Sequence, residues 1–404
     1  MSTHCPYRQS TLLQQALAPD KMRIAFLLGA GCPVSVKVST DKGSEPLIAD
    51  IRGLTKILDE KLSNSSTFKT NYETVLKRLN GGSSINPTIE DILSHIRALQ
   101  DVVRDGKIDG LDKNDLLALD AEICNITTQV VRVDLPDSKT PYHQLAAWIG
   151  GIQRAHAIEV FTPNYDLLLE QALELHKIPY FDGFVGSREA FFDLTSMQID
   201  VLPPRWCRVW KIHGSMNWWR TAKDEVVRRT SQSEGDRQMI YPSHLKYDQS
   251  RRMPYLAMLD QLRDFLARGQ AVLVTCGYSF ADQHLNEVIL NGLRSNPTAI
   301  CFALLYGPLS NYSEARTKAK LHPNLSLLAS DGAFLGTVER DWRADEINSH
   351  ALHGLSVAKK VTEVGTEAES NNCEFLLGDF KYFGDFLAQQ LSRTDDEKVN
   401  TDAE

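Results

Sequence analysis

The stretch RIAFLLGAGCPVS, residues 23–35, joins an apolar run to a turn that is rich in glycine. Residues 24–28 have the composition of a buried strand, and Gly29, Ala30 and Gly31 follow them directly. A glycine-rich turn that opens a helix offers backbone N–H groups and a positive dipole end to a phosphate. A tight turn without a ligand explains the same residues equally well. Other parts of the sequence must therefore decide between a phosphate site and a plain turn.

Short apolar strands alternate with amphipathic helices along much of the chain. We expect further strands at residues 157–162, 207–214, 271–279 and 299–306, and helices at residues 165–176, 254–269 and 282–295. This alternation predicts an α/β fold with a Rossmann-like, mostly parallel sheet that carries helices on both faces. In such sheets, ligands bind at the carboxyl ends of the strands.

The pattern also predicts how the chain is divided. We expect an N-terminal extension (1–20), a Rossmann-like domain (21–336) with a helical insertion (61–140), and a C-terminal extension (337–404). Residues 36–45 are polar and are expected to form a loop, whereas PLIADIRGLTKILDEKL (46–62) and three segments up to residue 131 have helical periodicity. The C-terminal extension is expected to hold a linker (361–372), an apolar helix-like segment (375–391) and a disordered acidic tail (394–404).

Composition and charge limit the classes of protein to consider. The chain has 404 residues, of which 42% are hydrophobic and 24% are charged, as in an ordinary globular protein. Its formal net charge of -8 argues against a protein that coats nucleic acid by itself. No apolar stretch approaches the roughly 20 residues that span a bilayer, and the N-terminus lacks the order of a signal peptide. We therefore expect a cytoplasmic protein without membrane contact.

Polar residues follow four of the predicted strands, where the ends of parallel strands would meet. They are Gly29, Ala30, Gly31 and Cys32; Thr162, Asn164 and Asp166; His213, Gly214 and Ser215; and Gly277, Tyr278, Ser279 and Asp282. Each has an ordinary explanation, because Asn164, Asp166 and Asp282 could cap helices and His213 could be a core histidine. Helix caps do not require an amide, an imidazole, hydroxyls and glycine turns at one sheet edge. Together these residues predict a single site.

The sequences GAG, TPNYD, KIHGSMNW and GYSFADQHLN occur in this order within residues 22–306. As a set they resemble the sirtuins, and more closely the sirtuin-like NAD hydrolases of bacterial antiphage defence. The resemblance implies that NAD is the substrate and that residues 29–31 lie against its pyrophosphate. It also implies that Asn164 and Asp166 hold the nicotinamide ribose, that His213 is the catalytic base, and that Gly277, Ser279 and Asp282 approach the adenosine. Further implied cofactor-binding residues are Cys32, Thr162, Gly214, Ser215 and Tyr278.

The sequence also departs from the sirtuin pattern. Sirtuin deacylases carry a zinc ribbon of paired cysteines, whereas the seven cysteines here are scattered and never form C-x-x-C. We therefore expect reduced, mostly buried thiols and no zinc or other bound metal. Pro33 stands where the family often has Ser, and KGSEPLIADI (42–51) replaces the family's shorter loop over the nicotinamide pocket. Trp218 and Trp219 are typical of the defence branch, or are simply core aromatics.

Cleavage of the nicotinamide–ribose bond requires stabilisation of a positively charged sugar. A neutral imidazole can accept a ribose hydroxyl proton and a fixed amide can position water, which matches His213 and Asn164. The leading hypothesis is an NAD+ glycohydrolase that yields ADP-ribose and nicotinamide and acts in antiphage defence by NAD depletion. Alternatives are an NAD-dependent deacylase or ADP-ribosyl transferase, a non-catalytic sensor of NAD or ADP-ribose, and a nuclease component, which no metal-binding carboxylate cluster supports.

The last expectation concerns assembly. An enzyme that destroys a central cofactor needs a switch, and contacts between subunits are a common form of switch. We expect a homo-oligomer that docks on a HerA-like hexameric DNA-translocating ATPase, with nucleic acid bound only through that partner. The apolar segment 375–391 is either an intersubunit element or a terminal helix folded back on its own domain.

Overall fold

The computed structural model describes residues 3–18, 22–40, 43–80, 87–103, 106–198, 202–231, 233, 237–240, 253–343, 356–359 and 373–399. Its α-helices are α1 Pro6–Ala16, α2 Gly31–Ser35, α3 Ile51–Ser63, α4 Lys69–Asn80, α5 Ile89–Val103, α6 Lys113–Val131, α7 Pro141–Gly151, α8 Leu168–Leu175, α9 Tyr255–Ala267, α10 Gln283–Ser295, α11 Ser313–Ala319 and α12 Phe380–Val399. Its strands are β1 Arg23–Leu28, β2 Lys37–Thr40, β3 Gly43–Pro46, β4 Glu159–Thr162, β5 Tyr180–Phe181, β6 Phe184–Val185, β7 Ala190–Phe192, β8 Cys207–Lys211, β9 Gly214–Arg220, β10 Val226–Arg228, β11 Arg237–Ile240, β12 Ala271–Cys276, β13 Ala299–Leu304, β14 Leu325–Leu328, β15 Gly332–Leu335, β16 Val338–Asp341, β17 Val357–Lys359 and β18 Cys373–Phe375.

A nine-stranded sheet forms the centre of the molecule. Its order is β16-β15-β14-β13-β12-β1-β4-β8-β5. The strands from β14 to β5 pair in parallel, and β15 and β16 add an antiparallel edge. The predicted α/β fold with a mostly parallel sheet is therefore confirmed.

The central strand β1 is buried on both faces. Residues 24, 26 and 28 belong to one apolar cluster, and residues 25 and 27 belong to the other. The first cluster also contains the apolar residues of α3 to α8 and α12, and the second contains those of α9, α10 and α11. Because side chains alternate between the faces of a strand, a continuous apolar run such as β1 fits a sheet covered on both sides.

The polar residues between β1 and α3 do not form the loop that the sequence predicted. They form an antiparallel hairpin of β2 and β3, in which Lys37 pairs with Pro46 and Thr40 with Gly43. The hairpin is largely exposed, so its strands lack the apolar alternation by which strands are recognised. The expected boundary of the helical insertion at residue 61 also falls inside α3, which contacts α4, α5 and α6.

A second, five-stranded sheet in the order β11-β9-β10-β7-β6 combines two strands that precede β8 in the chain with three that follow it. Sequence analysis did not predict this sheet. Trp218 and Trp219 lie on β9, and both are buried, as expected of core aromatics. The ring of Trp218 lies 4.9 Å from that of Phe184, between ring centroids.

The C-terminal helix α12 folds back on its own domain. Phe380, Phe383, Phe386 and Leu387 are at most 1% exposed and belong to the same apolar cluster as α7. The apolar segment 375–391 is therefore a terminal segment folded back on its own domain, which was the second of the two interpretations. The helix continues to Val399, so the expectation of a disordered tail from residue 394 is wrong up to that residue. The predicted linker 361–372 and residues 400–404 lie outside the described residues.

None of the seven cysteines, all of which lie in the described part of the chain, forms a disulfide, and six of them are buried. Within the described part of the chain, no helix is both long and apolar enough to cross a bilayer.

Candidate active site

The four strands that precede the predicted site residues are neighbours in the central sheet. In the order β8-β4-β1-β12 they run parallel, so their carboxyl ends share one edge. A cavity of about 240 Å³ lies at this edge. Eight predicted residues line it: Ala30, Asn164, Asp166, His213, Gly277, Tyr278, Ser279 and Asp282. The strand ends therefore meet as the sequence predicted.

The glycine turn after β1 is shaped by another turn of the same protein. A Cβ on Gly29 would lie 2.3 Å from the carbonyl oxygen of Gly277, and a Cβ on Gly31 would lie 2.8 Å from its Cα. The N–H groups of Gly29, Gly31 and Cys32 donate to carbonyls of the two turns, at 2.9 to 3.0 Å. Gly29 and Gly31 thus allow two backbones to lie in contact. The N–H groups of Gly29, Gly31 and Cys32 already donate hydrogen bonds within the protein. Of Gly29, Ala30 and Gly31, only Ala30 lines the cavity. The expected contact of this turn with the pyrophosphate stays a prediction.

Asn164 is fixed by the ends of two strands. Its Nδ2 donates to the carbonyl of Gly29 at 3.1 Å, and its backbone N–H donates to Thr162 Oγ1 at 3.0 Å. Thr162 Oγ1 in turn donates to the carbonyl of Leu28 at 2.7 Å. The helix-capping explanation of Asn164 fails, because the N-cap of α8 is Leu167. A side-chain amide with a fixed orientation therefore faces the cavity.

A buried charge cluster lies beside Asn164. The ammonium group of Lys211, which is 1% exposed, lies 3.1 Å from a carboxylate oxygen of Glu170 and also donates to the carbonyl of Asp166. Burial raises the pKa of Asp166, and the positive charge of Lys211 opposes this rise. One carboxylate oxygen of Asp166 accepts from the N–H of Leu168 at 3.1 Å. Asp166 therefore both lines the cavity and binds the start of α8.

His213 and Asp282 form a pair in the cavity wall. The Nε2 atom of His213 lies 3.0 Å from Oδ2 of Asp282, and each side chain is 16% exposed. The other carboxylate oxygen of Asp282 accepts from the N–H groups of His284 and Leu285, at 2.9 and 3.1 Å, and so caps α10. The capping explanation of Asp282 is thus correct but incomplete, and His213 is not a core histidine.

Six predicted site residues do not line the cavity. They are Gly29, Gly31, Cys32, Thr162, Gly214 and Ser215. Ser215 is fully buried, with its Oγ 3.5 Å from the carbonyl of Tyr165. Burial also raises the pKa of the Cys32 thiol well above its usual value, and this thiol donates to the carbonyl of Cys276. Gly29, Gly31 and Thr162 instead form hydrogen bonds that join the ends of neighbouring strands.

Further lining residues come from the segment 42–51 and from helices that sequence analysis did not assign to the site. Ile48, Ala49 and Ile51 belong to the segment 42–51, which the sequence indicated as an unusual cover of the pocket. Leu54, Glu90 and Val131 come from α3, α5 and α6. The position of Glu90 in the first turn of α5 fits a helix start, so it carried no separate functional signal.

The acidic character of the cavity is pronounced. Glu90, Asp166 and Asp282 line it together with His213, and the described lining contains no Lys or Arg. Within the described residues, no group of three or more His, Cys, Asp or Glu side chains is placed to hold a metal ion. The cavity therefore offers an imidazole, an oriented amide and carboxyl groups, which suit a positively charged reacting group.

Comparison with known proteins points to one family for the middle of the chain. A family model described as "SIR2-like domain" matches residues 158–326, which include the ends of β4, β8 and β12. Residues 158–326 are therefore similar to SIR2-like domains. No curated protein matches the chain.

Solved Sir2 structures are similar to this chain at low sequence identity and low TM-score. A structure of Sir2 enzymes described for their mechanism and regulation is 12% identical, covers 75% of this chain and 85% of its own, and has a TM-score of 0.34. A Sir2 homolog–NAD complex is 14% identical over 75% of this chain and 85% of its own, with a TM-score of 0.32. Sir2 bound to an acetylated peptide is 13% identical over 75% and 90%, also with a TM-score of 0.32.

Proposed function

We propose that this chain is an NAD+ glycohydrolase that releases nicotinamide and transfers the ADP-ribosyl group to water. The observation that carries the proposal is that His213 and Asn164 share one cavity with the carboxyl groups of Asp166 and Glu90. The SIR2-like match supports NAD as the substrate.

Each of these groups has a task in the proposed reaction. His213 accepts a proton from a ribose hydroxyl, and the oriented amide of Asn164 positions the ribose or the attacking water. When the C–N bond breaks, its electrons leave with nicotinamide, and the sugar becomes cationic. Acidic side chains in the cavity stabilise this cation by electrostatic attraction.

The size of the cavity limits how NAD is bound. Its volume of about 240 Å³ is below the ~300–1,000 Å³ of most ligand pockets. We therefore propose that the nicotinamide and its ribose occupy the cavity, while the pyrophosphate and adenosine extend beyond it. The cationic nicotinamide ring suits the acidic lining, which would repel the pyrophosphate.

The biological role belongs to the same proposal. We infer that NAD depletion by this chain acts in antiphage defence, in a homo-oligomer that docks on a HerA-like ATPase. The resemblance described above supports this role, and the net charge of -8 suits a basic partner that handles the DNA. Co-purification with a co-expressed HerA-like ATPase tests the partner directly.

The activity is tested by incubating the purified chain with NAD and measuring nicotinamide and ADP-ribose by chromatography. We expect both products, and we expect His213→Ala and Asn164→Ala each to lower kcat by about 100-fold or more, since general-base catalysis contributes about 10²–10⁴-fold. His176→Ala and Asn125→Ala are matched controls, because both residues are exposed and outside the cavity lining.

The same experiment separates the alternatives. If nicotinamide release requires an acetylated peptide and yields an acylated ADP-ribose, the chain is a deacylase. If NAD binds without turnover, it is a sensor. Retention of most activity by His213→Ala or Asn164→Ala would show that the role of that residue is assigned wrongly. Elemental analysis of the purified protein should find no stoichiometric zinc.

A further inference from the structure

A carboxylate bridges the proposed base and a helix in the cavity wall. Asp282 uses its two oxygens separately: Oδ1 accepts from the N–H groups of His284 and Leu285, and Oδ2 faces Nε2 of His213 at 3.0 Å. The sequence expectation for Asp282 was a contact with adenosine. The observed contact with the imidazole indicates an additional role, and the adenosine contact stays a prediction.

The chemistry of this contact determines which ring nitrogen carries the proton. An ionised carboxylate can only accept hydrogen bonds, so a carboxylate oxygen 3.0 Å from Nε2 favours the neutral tautomer that carries its proton on Nε2. The lone pair of the neutral imidazole is then on Nδ1. The two N–H groups of α10 fix the carboxylate, and the helix dipole favours its negative charge. The orientation of the ring is therefore set by the start of a helix that lies 69 residues later in the chain.

We propose that Asp282 is the positioning residue of the base, and that Nδ1 of His213 is the atom that accepts the ribose proton. This inference rests on the proposed function. In the step, the hydroxyl O–H bond breaks, an Nδ1–H bond forms, and the positive charge gained by the imidazole lies beside the Asp282 carboxylate. Asp166 and Glu90 line the same cavity, and their carboxyl groups also stabilise that positive charge.

Two substitutions separate this role from simple helix capping. Asp282→Asn and Asp282→Ser both retain a good N-cap residue. In the asparagine variant, the amide oxygen must stay on the N–H groups of α10, so the NH₂ group faces Nε2 of His213. That NH₂ group needs an acceptor, which moves the ring proton to Nδ1 and blocks the base. Serine removes the carboxylate without imposing this wrong tautomer.

Asparagine is closer in shape to aspartate than serine is, but we expect Asp282→Asn to reduce activity more than Asp282→Ser does. Asp282→Asn should lower kcat by about 100-fold or more, as a wrong tautomer does at the orienting aspartate of serine proteases. Asp282→Ser should lower kcat by about 10-fold, and KM should change by less than about threefold in both. Asp112→Asn is the matched control, because Asp112 caps α6 through the N–H groups of Asn114 and Asp115 outside the cavity.

Histidine nitrogen NMR provides a readout that does not depend on turnover. The signals of His213, identified by their loss in His213→Ala, should show a proton on Nε2 in the wild type and on Nδ1 in Asp282→Asn. If the wild type releases no nicotinamide, the proposed function fails, while these spectra still test the pairing. The inference is overturned by a proton on Nδ1 in the wild type, by Asp282→Asn being as active as Asp282→Ser, or by variants that raise KM with kcat unchanged.

Discussion

At the scale of single residues, the molecule uses glycine to bring two backbones together. Gly29 lies at the end of β1 and Gly277 at the end of β12, where its φ is +65°. The Gly29 N–H donates to the carbonyl of Cys276 at 2.9 Å, so the turns are joined as well as close. The contact between the two turns therefore accounts for glycine at position 29, while the pyrophosphate contact of this turn stays a prediction.

Substitution of Gly29 by alanine should destabilise the protein. The added Cβ would lie 2.3 Å from the carbonyl oxygen of Gly277, and overpacking of this kind costs about 1–3 kcal/mol. We expect the free energy of unfolding, measured with denaturant, to fall by at least about 2 kcal/mol. Gly106→Ala is the control, because its nearest neighbour would be the carbonyl oxygen of Val103 at 3.4 Å, and it should change stability by less than about 1 kcal/mol. Equal losses in both variants would contradict this explanation.

At the scale of elements, a titratable side chain helps to cap the start of α7. The capping box of α7 is built from Thr140 and His143, whose Nδ1 accepts from the Thr140 N–H at 3.1 Å. His143 is buried, and burial lowers its pKa from the usual value of 6.5. Protonation would remove the acceptor that the cap requires. The start of α7 is therefore sensitive to acid.

The pH dependence of stability should reveal this cap. The unfolded state takes up the His143 proton near pH 6.5, before the folded state does, so the contribution is complete above that pH and is lost as the pH falls through it. His143→Gln keeps a capping-box residue that does not titrate. Between about pH 7.5 and 5.5, we expect the melting temperature of this variant to fall less than that of the wild type. Burial also lowers the pKa values of His95 and His322, so some dependence should remain. An unchanged slope would contradict this assignment.

At the scale of the whole molecule, the C-terminal helix completes the fold around the central sheet. Phe383 of α12 is fully buried, with its ring 6.0 Å from that of Phe26 on β1, between centroids. Gln144 of α7 donates to Asp385 at 2.5 Å, and Trp148 donates to Gln390 at 3.1 Å. Proposed contacts between subunits must therefore use surfaces other than this apolar helix face.

The assembly and the stability of the chain should respond separately to a change in α12. Phe383→Ala should reduce the free energy of unfolding by about 3–5 kcal/mol, because it leaves a cavity against the central sheet. We expect light scattering to give a multiple of the chain mass for the wild type, and the same multiple for this variant under native conditions. Lys381→Ala, an exposed change on the same helix, should alter neither value. Dissociation of Phe383→Ala at unchanged stability would instead make α12 an intersubunit element, and a monomeric wild type would contradict the proposed homo-oligomer.

Much of the fold and of the site could be predicted from local patterns. The strands β1, β12 and β13 are largely apolar runs, and such runs are recognisable because a strand covered on both faces has no polar side. The parallel arrangement then places the carboxyl ends of the strands at one edge, which brings Asn164, Asp166 and His213 into one cavity. The exposed hairpin of β2 and β3 was missed because its residues bury too little to leave a periodic signal.

By itself, the sequence determined the fold class and the set of polar residues at the strand ends, because both follow from periodicity and from the order of the elements. Only the tertiary structure decided what those residues contact. The pairing of His213 with Asp282, the contact of Gly29 with Gly277 and the approach of Glu90 join positions far apart in the chain. Such contacts depend on how helices and turns pack across the sheet edge, and local periodicity carries no information about that packing.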